Sequence, residues 1–191
     1  EGGEGKVPSQ YQFARVELSK KALKKGNAKE AIILLEECFD YPFHLGEGKL
    51  HGAQENDFYF LLGCAYEQLG DIHNANECWN QATKGPQEPV AFMYYNDAKP
   101  EKIFYQGLAL LKLGRCDEAR GRFNKLVDYG KKHLFEKQSM DFFAVSLPDF
   151  LIFDDDYTLQ NQVHCHYLMG LAALGYSALE HSGQNLRQQA K

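Results

Sequence analysis

The chain has no run of about 18 apolar residues, so no transmembrane helix is expected and a membrane is not among the expected partners. It has no basic block either: Lys and Arg are dispersed and the net charge is −5, which speaks against nucleic-acid binding. No two of the five cysteines (Cys38, Cys64, Cys78, Cys116, Cys165) have CxxC spacing, and their number is odd. That pattern argues against a disulfide framework and against structural zinc. Reduced thiols packing as small apolar groups in a cytoplasmic protein are expected instead. The opening EGGEGKVPSQ lacks the apolar core of a signal peptide and reads as a flexible lead or cloning scar over residues 1–10. What remains is an ordinary globular composition, 44% hydrophobic and 25% charged.

Against that background one regularity stands out. Gly26, Gly70 and Gly114 are spaced 44 residues apart. Each is followed by an alanine (Ala31, Ala75, Ala119) and preceded by a small residue (Ser19, Gly63, Gly107) at constant intervals. Internal repeats of this length signal stacked supersecondary units. In the middle unit Tyr59, Leu62, Gly63, Tyr66 and Leu69 mark one helical face. Gly70 suits a left-handed helix end and Asp71 an N-cap. Ile72, Ala75, Cys78, Trp79 and Ala82 then mark the buried stripe of a second helix, which Gly85 and Pro86 stop. The product is a helical hairpin in which Gly63 and Ala75 permit close approach and Trp79 fills the remaining space. The first unit repeats this with Leu18, Ser19, Ala22, Ala31, Leu35 and Cys38, and Asn27 with Glu30 reads as a capping box. The third does so with Ile103, Gly107, Leu110, Ala119, Phe123 and Leu126, Pro100 fitting the first turn of its opening helix.

These residues resemble the tetratricopeptide repeat. The middle unit supplies Tyr59, Leu62, Gly63, Tyr66, Ala75, Trp79 and Ala82 of that pattern. The first unit departs from it at Arg15 and the third at Gln106, and the period exceeds the usual length of about 34 residues. The surplus lies in YPFHLGEGKLHGAQEN (41–56) and GPQEPVAFMYYNDA (85–98). The expectation is an all-α, right-handed α-solenoid of antiparallel helix pairs with long inter-repeat loops and a helical insertion. A single domain over 11–181 is expected, with units at about 11–40, 55–85 and 99–129. The insertion covers 130–153, a last helix 157–181, and a polar tail 182–191. The stretches YPFHLGEGKLHGAQEND, MDFFAVSLPDFLIFDDD and HCHYLMGL also resemble the helical-repeat region of bacterial proteins that carry a mutarotase-like β-domain, the DUF5107 type. That resemblance implies a fragment of a longer parent protein.

In the last third, the next small residue of the opening-helix type is Gly170, 63 residues after Gly107. KKHLFEKQSMDFFAVS (131–146) reads as one helix, Pro148 as the start of a short turn, and Asp154, Asp155 and Asp156 as turn and N-cap residues.

The chemical candidates are weak. GEGKLHG has Phe43 where a P-loop needs its first glycine and Leu50 after the lysine, so an inter-hairpin loop is expected. His164, Cys165 and His166 are ligand types, but residues two apart on a helix diverge, which favours packing or partner contact. The aspartates 154–156 lack an EF-hand's glycine and distal Glu. Cys64 has no histidine base placed beside it and reads as an inert thiol. No catalytic, cofactor or metal residue is assigned, and no cofactor is expected.

A binding surface is the stronger candidate. In stacked hairpins the first helices line the concave face, beside the buried stripe. The candidate partner-binding residues are Asp57, Phe60, Cys64, Glu67 and Gln68, then Glu101, Phe104, Leu108 and Lys112, then His164 and Tyr167, with Leu111, Leu171 and Leu174 on the same rows. Aromatic residues on a solvated groove anchor peptides or neighbouring domains. The alternative is that the inserted segments fold back over them. A carboxylate clamp of the kind some relatives use is missing, since its positions are Val16, Lys20 and Leu61. The expectation is a non-catalytic interaction or scaffold module. It would bind a protein or peptide, or dock on another domain of its parent. An accessory region of a carbohydrate-active protein is the alternative.

Overall fold

A computed structural model describes residues 6–46, 48–49, 52–91, 99–137 and 156–189. Side chains are described from residue 7 and as far as 182. Every regular element among the described residues is helical. The chain divides into two compact units, Glu1–Lys84 and Gly85–Lys191. The first holds α1 (Lys6–Lys24), α2 (Ala28–Glu36), a 3₁₀ turn at Phe43–Leu45, α3 (Asn56–Gln68) and α4 (Ile72–Ala82). The second holds α5 (Pro100–Lys112), α6 (Cys116–His133) and α7 (Tyr157–Gln189).

The hairpin turns follow from the repeated glycines. Gly26, Gly70 and Gly114 have φ of +77°, +79° and +74°, a conformation that costs a side chain but not glycine. In each, the amide of the next residue reaches back over the helix end: Asn27 to the Ala22 carbonyl at 2.9 Å, Asp71 to Tyr66 at 2.9 Å, Arg115 to Leu110 at 2.8 Å. Unsatisfied helix-end carbonyls are thereby closed. Asp71 caps α4 as expected, accepting from the Asn74 amide at 3.2 Å. Asn27 does not cap α2 through the backbone. Its side-chain amide instead donates to the Glu30 carboxylate at 2.6 Å.

In the first unit Val16, Leu35, Cys38, Phe58, Leu61 and Leu62 form one core cluster, and Ala22, Ala28, Ala31 and Ala65 form a second in which bare methyls let helices close up. In the second unit Phe123 is fully buried among Ile103, Leu110, Leu126, Leu168, Leu171 and Ala172. Three residues assigned to buried faces are exposed: Leu18, Leu69 and Ile72. Leu69 and Ile72 flank the turn, beyond the overlap of α3 and α4. Leu18 is about 100° around α1 from the buried Ser19.

Several element ends differ from the expected ones. α1 begins at Lys6, inside the stretch read as a flexible lead, and Pro8 is buried. α6 runs to His133, so no separate helix begins at 131. The reason lies at Gly130, which is buried against α7: a Cβ there would lie 2.8 Å from the Cys165 carbonyl oxygen and 2.7 Å from Met169 Cγ. α7 continues past His181 into the polar tail. Asp156 caps it, accepting from the amides of Thr158 at 2.9 Å and Leu159 at 3.1 Å. The rest of the expected insertion, with Pro148, Asp154 and Asp155, lies outside the described residues.

Candidate interaction surface

The candidate residues occupy one row on each first helix. On α3, Asp57 is buried, Phe60, Cys64 and Glu67 are half-buried, and Gln68 is exposed. Phe60 leans on the cluster around Leu61 and Phe58. Gln68 donates its amide to the Leu23 carbonyl at 3.2 Å, which ties the end of α3 to α1. On α5, Glu101, Phe104 and Leu108 are half-buried and Lys112 is exposed. Phe104 packs one flank on Phe123, ring centroids 6.2 Å apart. On α7, Tyr167 is 48% and Leu174 62% exposed, whereas His164 and Leu171 are buried.

His164 leaves the open row because part of the inter-hairpin stretch is tethered across the second unit. Its Nε2 lies 2.9 Å from the Val90 carbonyl oxygen, a distance that makes it the donor. Its ring meets Tyr129 edge to face. Two other ties fix the same stretch: Gln106 donates to the Pro86 carbonyl at 2.9 Å, and Lys125 pairs with Glu88. Residues 92–98, which continue it, lie outside the described residues.

The departure at Gln106 now has a physical reason. Gln106 is fully buried. Its amide nitrogen holds Pro86 and its oxygen accepts from Arg122 Nε at 3.1 Å. A leucine would satisfy neither group. Burial also lowers the pKa of Arg122 from its ordinary value.

A related set of amides escaped the sequence reading. Gln12 on α1 donates to the Cys38 carbonyl at 3.0 Å, just past α2. Asn56 on α3, which is buried, donates to the carbonyls of Ala82 at 2.8 Å and Lys84 at 2.7 Å, at the end of α4. α1 and α3 thus each hold the C-terminal end of their own partner helix, where carbonyls lack intrahelical donors. Gln12 and Asn56 stand one repeat period apart, as do Cys38 and Ala82, so the signal was present in the sequence. Asn161 on α7 does the same for α6, donating to the His133 carbonyl at 2.7 Å.

Some of the chemical candidates make structural contacts. In GEGKLHG, Gly46 ends the 3₁₀ turn at φ +75°, and Lys49 pairs with the Glu55 carboxylate. That hydrogen bond raises the Lys49 pKa from its ordinary value. His164 and His166 diverge as expected, the first buried and the second exposed. Cys78 is pushed up to about 11 by burial, which disfavours the thiolate. Cys165 is raised for the same reason. No helix among the described residues is long and apolar enough to cross a membrane.

Comparison with known protein families gives two matches. Residues 57–84, the α3–α4 hairpin, match a tetratricopeptide repeat model, and residues 103–129, within α5–α6, match another. These two segments are similar to tetratricopeptide repeats. Repeats of this family generally mediate protein–protein interaction or scaffolding.

Proposed function

We propose that this chain is a non-catalytic interaction module that holds a protein or peptide through the first-helix rows. In the second unit that row carries Phe104 and Leu108 on α5 and Tyr167 on α7. In the first it carries Phe60. The observation that carries the reading is that Phe60 and Phe104 stand half-buried on these rows, Phe104 one turn after the half-buried Glu101 on α5. Such anchors are held in place by packing on one side and offer the other flank to a ligand, as interface hot spots do.

Panning a displayed random-peptide library against the chain tests this. Selected peptides are expected to lose at least ~10-fold in affinity on Phe104→Ala or Tyr167→Ala, the ordinary scale for a hot-spot aromatic. The variants' far-UV circular dichroism should stay unchanged. Selected peptides that bind every row variant as tightly as the parent chain would remove the rows from the function.

The finer reading is that the partner is another domain of the same parent chain, in a bacterial, cytoplasmic protein of the DUF5107 type. In the alternative, the chain is an accessory region of a carbohydrate-active protein. Both rest on the sequence resemblance described above. Calorimetry against the separately produced remainder of the parent chain tests docking directly.

A further inference from the structure

Three first helices of this chain share one register, set by Gly63 on α3, Gly107 on α5 and Gly170 on α7. Packing supports the alignment of the outer two. Phe58, Leu61 and Ala65 are buried on α3, and their equivalents Cys165, Leu168 and Ala172 are buried on α7. On α3 and α5 the glycine is covered by an aromatic ring from the following helix. A Cβ at Gly63 would lie 2.8 Å from Trp79 Cε2, and one at Gly107 would lie 2.6 Å from Phe123 Cζ. In both cases a buried alanine precedes the ring by four residues: Ala75 before Trp79, Ala119 before Phe123. Glycine, alanine and ring form one seam, in which two helices approach closely and the ring fills the gap.

On α7 the same face is open. Among the described residues, nothing lies within 4 Å of a Cβ placed at Gly170. His166, Gly170 and Ala173 on this face are exposed. Beside them Val163 is 57% and Leu174 62% exposed, so the row is flanked by apolar side chains. The position where α3 and α5 turn, at Gly70 and Gly114, is Ser177 on α7, and the helix runs on to Gln189. α7 is therefore packed as a first helix on α5 and α6 through its buried face, while among the described residues no second helix covers its glycine face.

We propose that the Gly170 face of α7 binds an amphipathic helix of a partner protein that carries an aromatic residue four positions after a small one. The partner's chemistry is dictated by the seam the chain builds twice for itself. The small residue sits against the α7 backbone and the ring fills the space over Gly170. This surface borders the α7 part of the row proposed above, since Leu174 flanks both, but it does not include Phe104 and Leu108 on α5.

The test uses the isotope-labelled chain and two synthetic peptides. One has the sequence of α6, Cys116–His133, which contains the Ala119 and Phe123 pair. The other is the same peptide with Phe123→Ala. The first peptide is expected to shift the amide resonances of His166, Gly170 and Ala173. Phe123→Ala in the peptide should weaken binding at least ~10-fold, as removing an anchoring aromatic does. Gly170→Leu in the protein should abolish it, whereas Phe104→Ala should leave it intact. Gly170→Leu is expected to fold, because no described atom obstructs the added side chain. Absence of α7 shifts at millimolar peptide would overturn the proposal, as would shifts that survive Gly170→Leu. Self-association of the chain that Gly170→Leu abolishes would assign the face to a second copy and also overturn it.

Discussion

The indole of Trp79 occupies the volume that a side chain at Gly63 would need: a Cβ there would lie 2.8 Å from Cε2 and closer still to Nε1 and Cδ1. Trp79 is almost fully buried, and its ring belongs to the short helix α4. The glycine therefore sets how closely α3 and α4 approach, and the ring sets what fills the gap. Phe123 is held more tightly still. It lies against Gly107 on α5 and against Gly175 on α7, where a Cβ would come within 2.7 Å of its Cγ.

Glycine substitutions should therefore separate by site and not by residue type. Gly63→Ala is expected to destabilise the chain by about 1–3 kcal/mol, because the methyl overpacks a filled seam. Gly170→Ala is expected to be neutral or to stabilise by up to about 1 kcal/mol. It sits exposed within α7, where alanine is the better helix former. Urea denaturation of the two variants measures both. Equal destabilisation would show that the α7 face is already filled.

Asn56→Ala should cost about 1–3 kcal/mol, because it leaves the Ala82 and Lys84 carbonyls without their buried donor. Amide hydrogen exchange should quicken first at the C-terminal turn of α4. Gln12→Ala should cost less, since its bond to the Cys38 carbonyl is only partly buried. The order of the two midpoints in a denaturation series checks this.

Gln106→Leu restores the residue usual in the repeat family, yet is expected to destabilise by about 1–2 kcal/mol. It strands the Pro86 carbonyl and leaves Arg122 Nε without its acceptor. Limited proteolysis should then cut faster around Pro86. A stabilised Gln106→Leu variant would show that the tether is unimportant.

Cys78 should alkylate slowly at neutral pH, its rate climbing toward a midpoint near 11 in a variant with the other four cysteines replaced. Burial raises its folded pKa above the unfolded value of about 8.5. The stabilising contribution is therefore fully present below the unfolded pKa. It is lost as pH rises from about 8.5 toward 11, because the unfolded chain releases its proton first. Iodoacetamide kinetics against pH check the midpoint, and an alkylation midpoint near 8.5 in the folded chain would refute it.

Much of the architecture could be read in advance because it rests on local rules that recur. Left-handed turns need glycine, so Gly26, Gly70 and Gly114 marked the hairpins. Close helix approach needs small residues, so Gly63, Gly107, Ala75 and Ala119 marked the seams. The amide clamps were harder to read, because each spans about two helices of sequence and amides also suit solvent. The period that links Gln12 to Asn56 was nevertheless there to be found.

By itself, then, the sequence determined the helical hairpins, their turns and their closest approaches, because those depend on backbone freedom and side-chain volume at fixed spacing. Only the tertiary structure decided the rest. It buried His164 under the Val90 carbonyl and carried α6 through to His133 so that Gly130 meets α7. It also made Gln106 a tether and, among the described residues, left Gly170 uncovered while Gly63 and Gly107 are filled. Each of these depends on which distant segment arrives at a given helix face, and residue spacing within one helix carries no record of that.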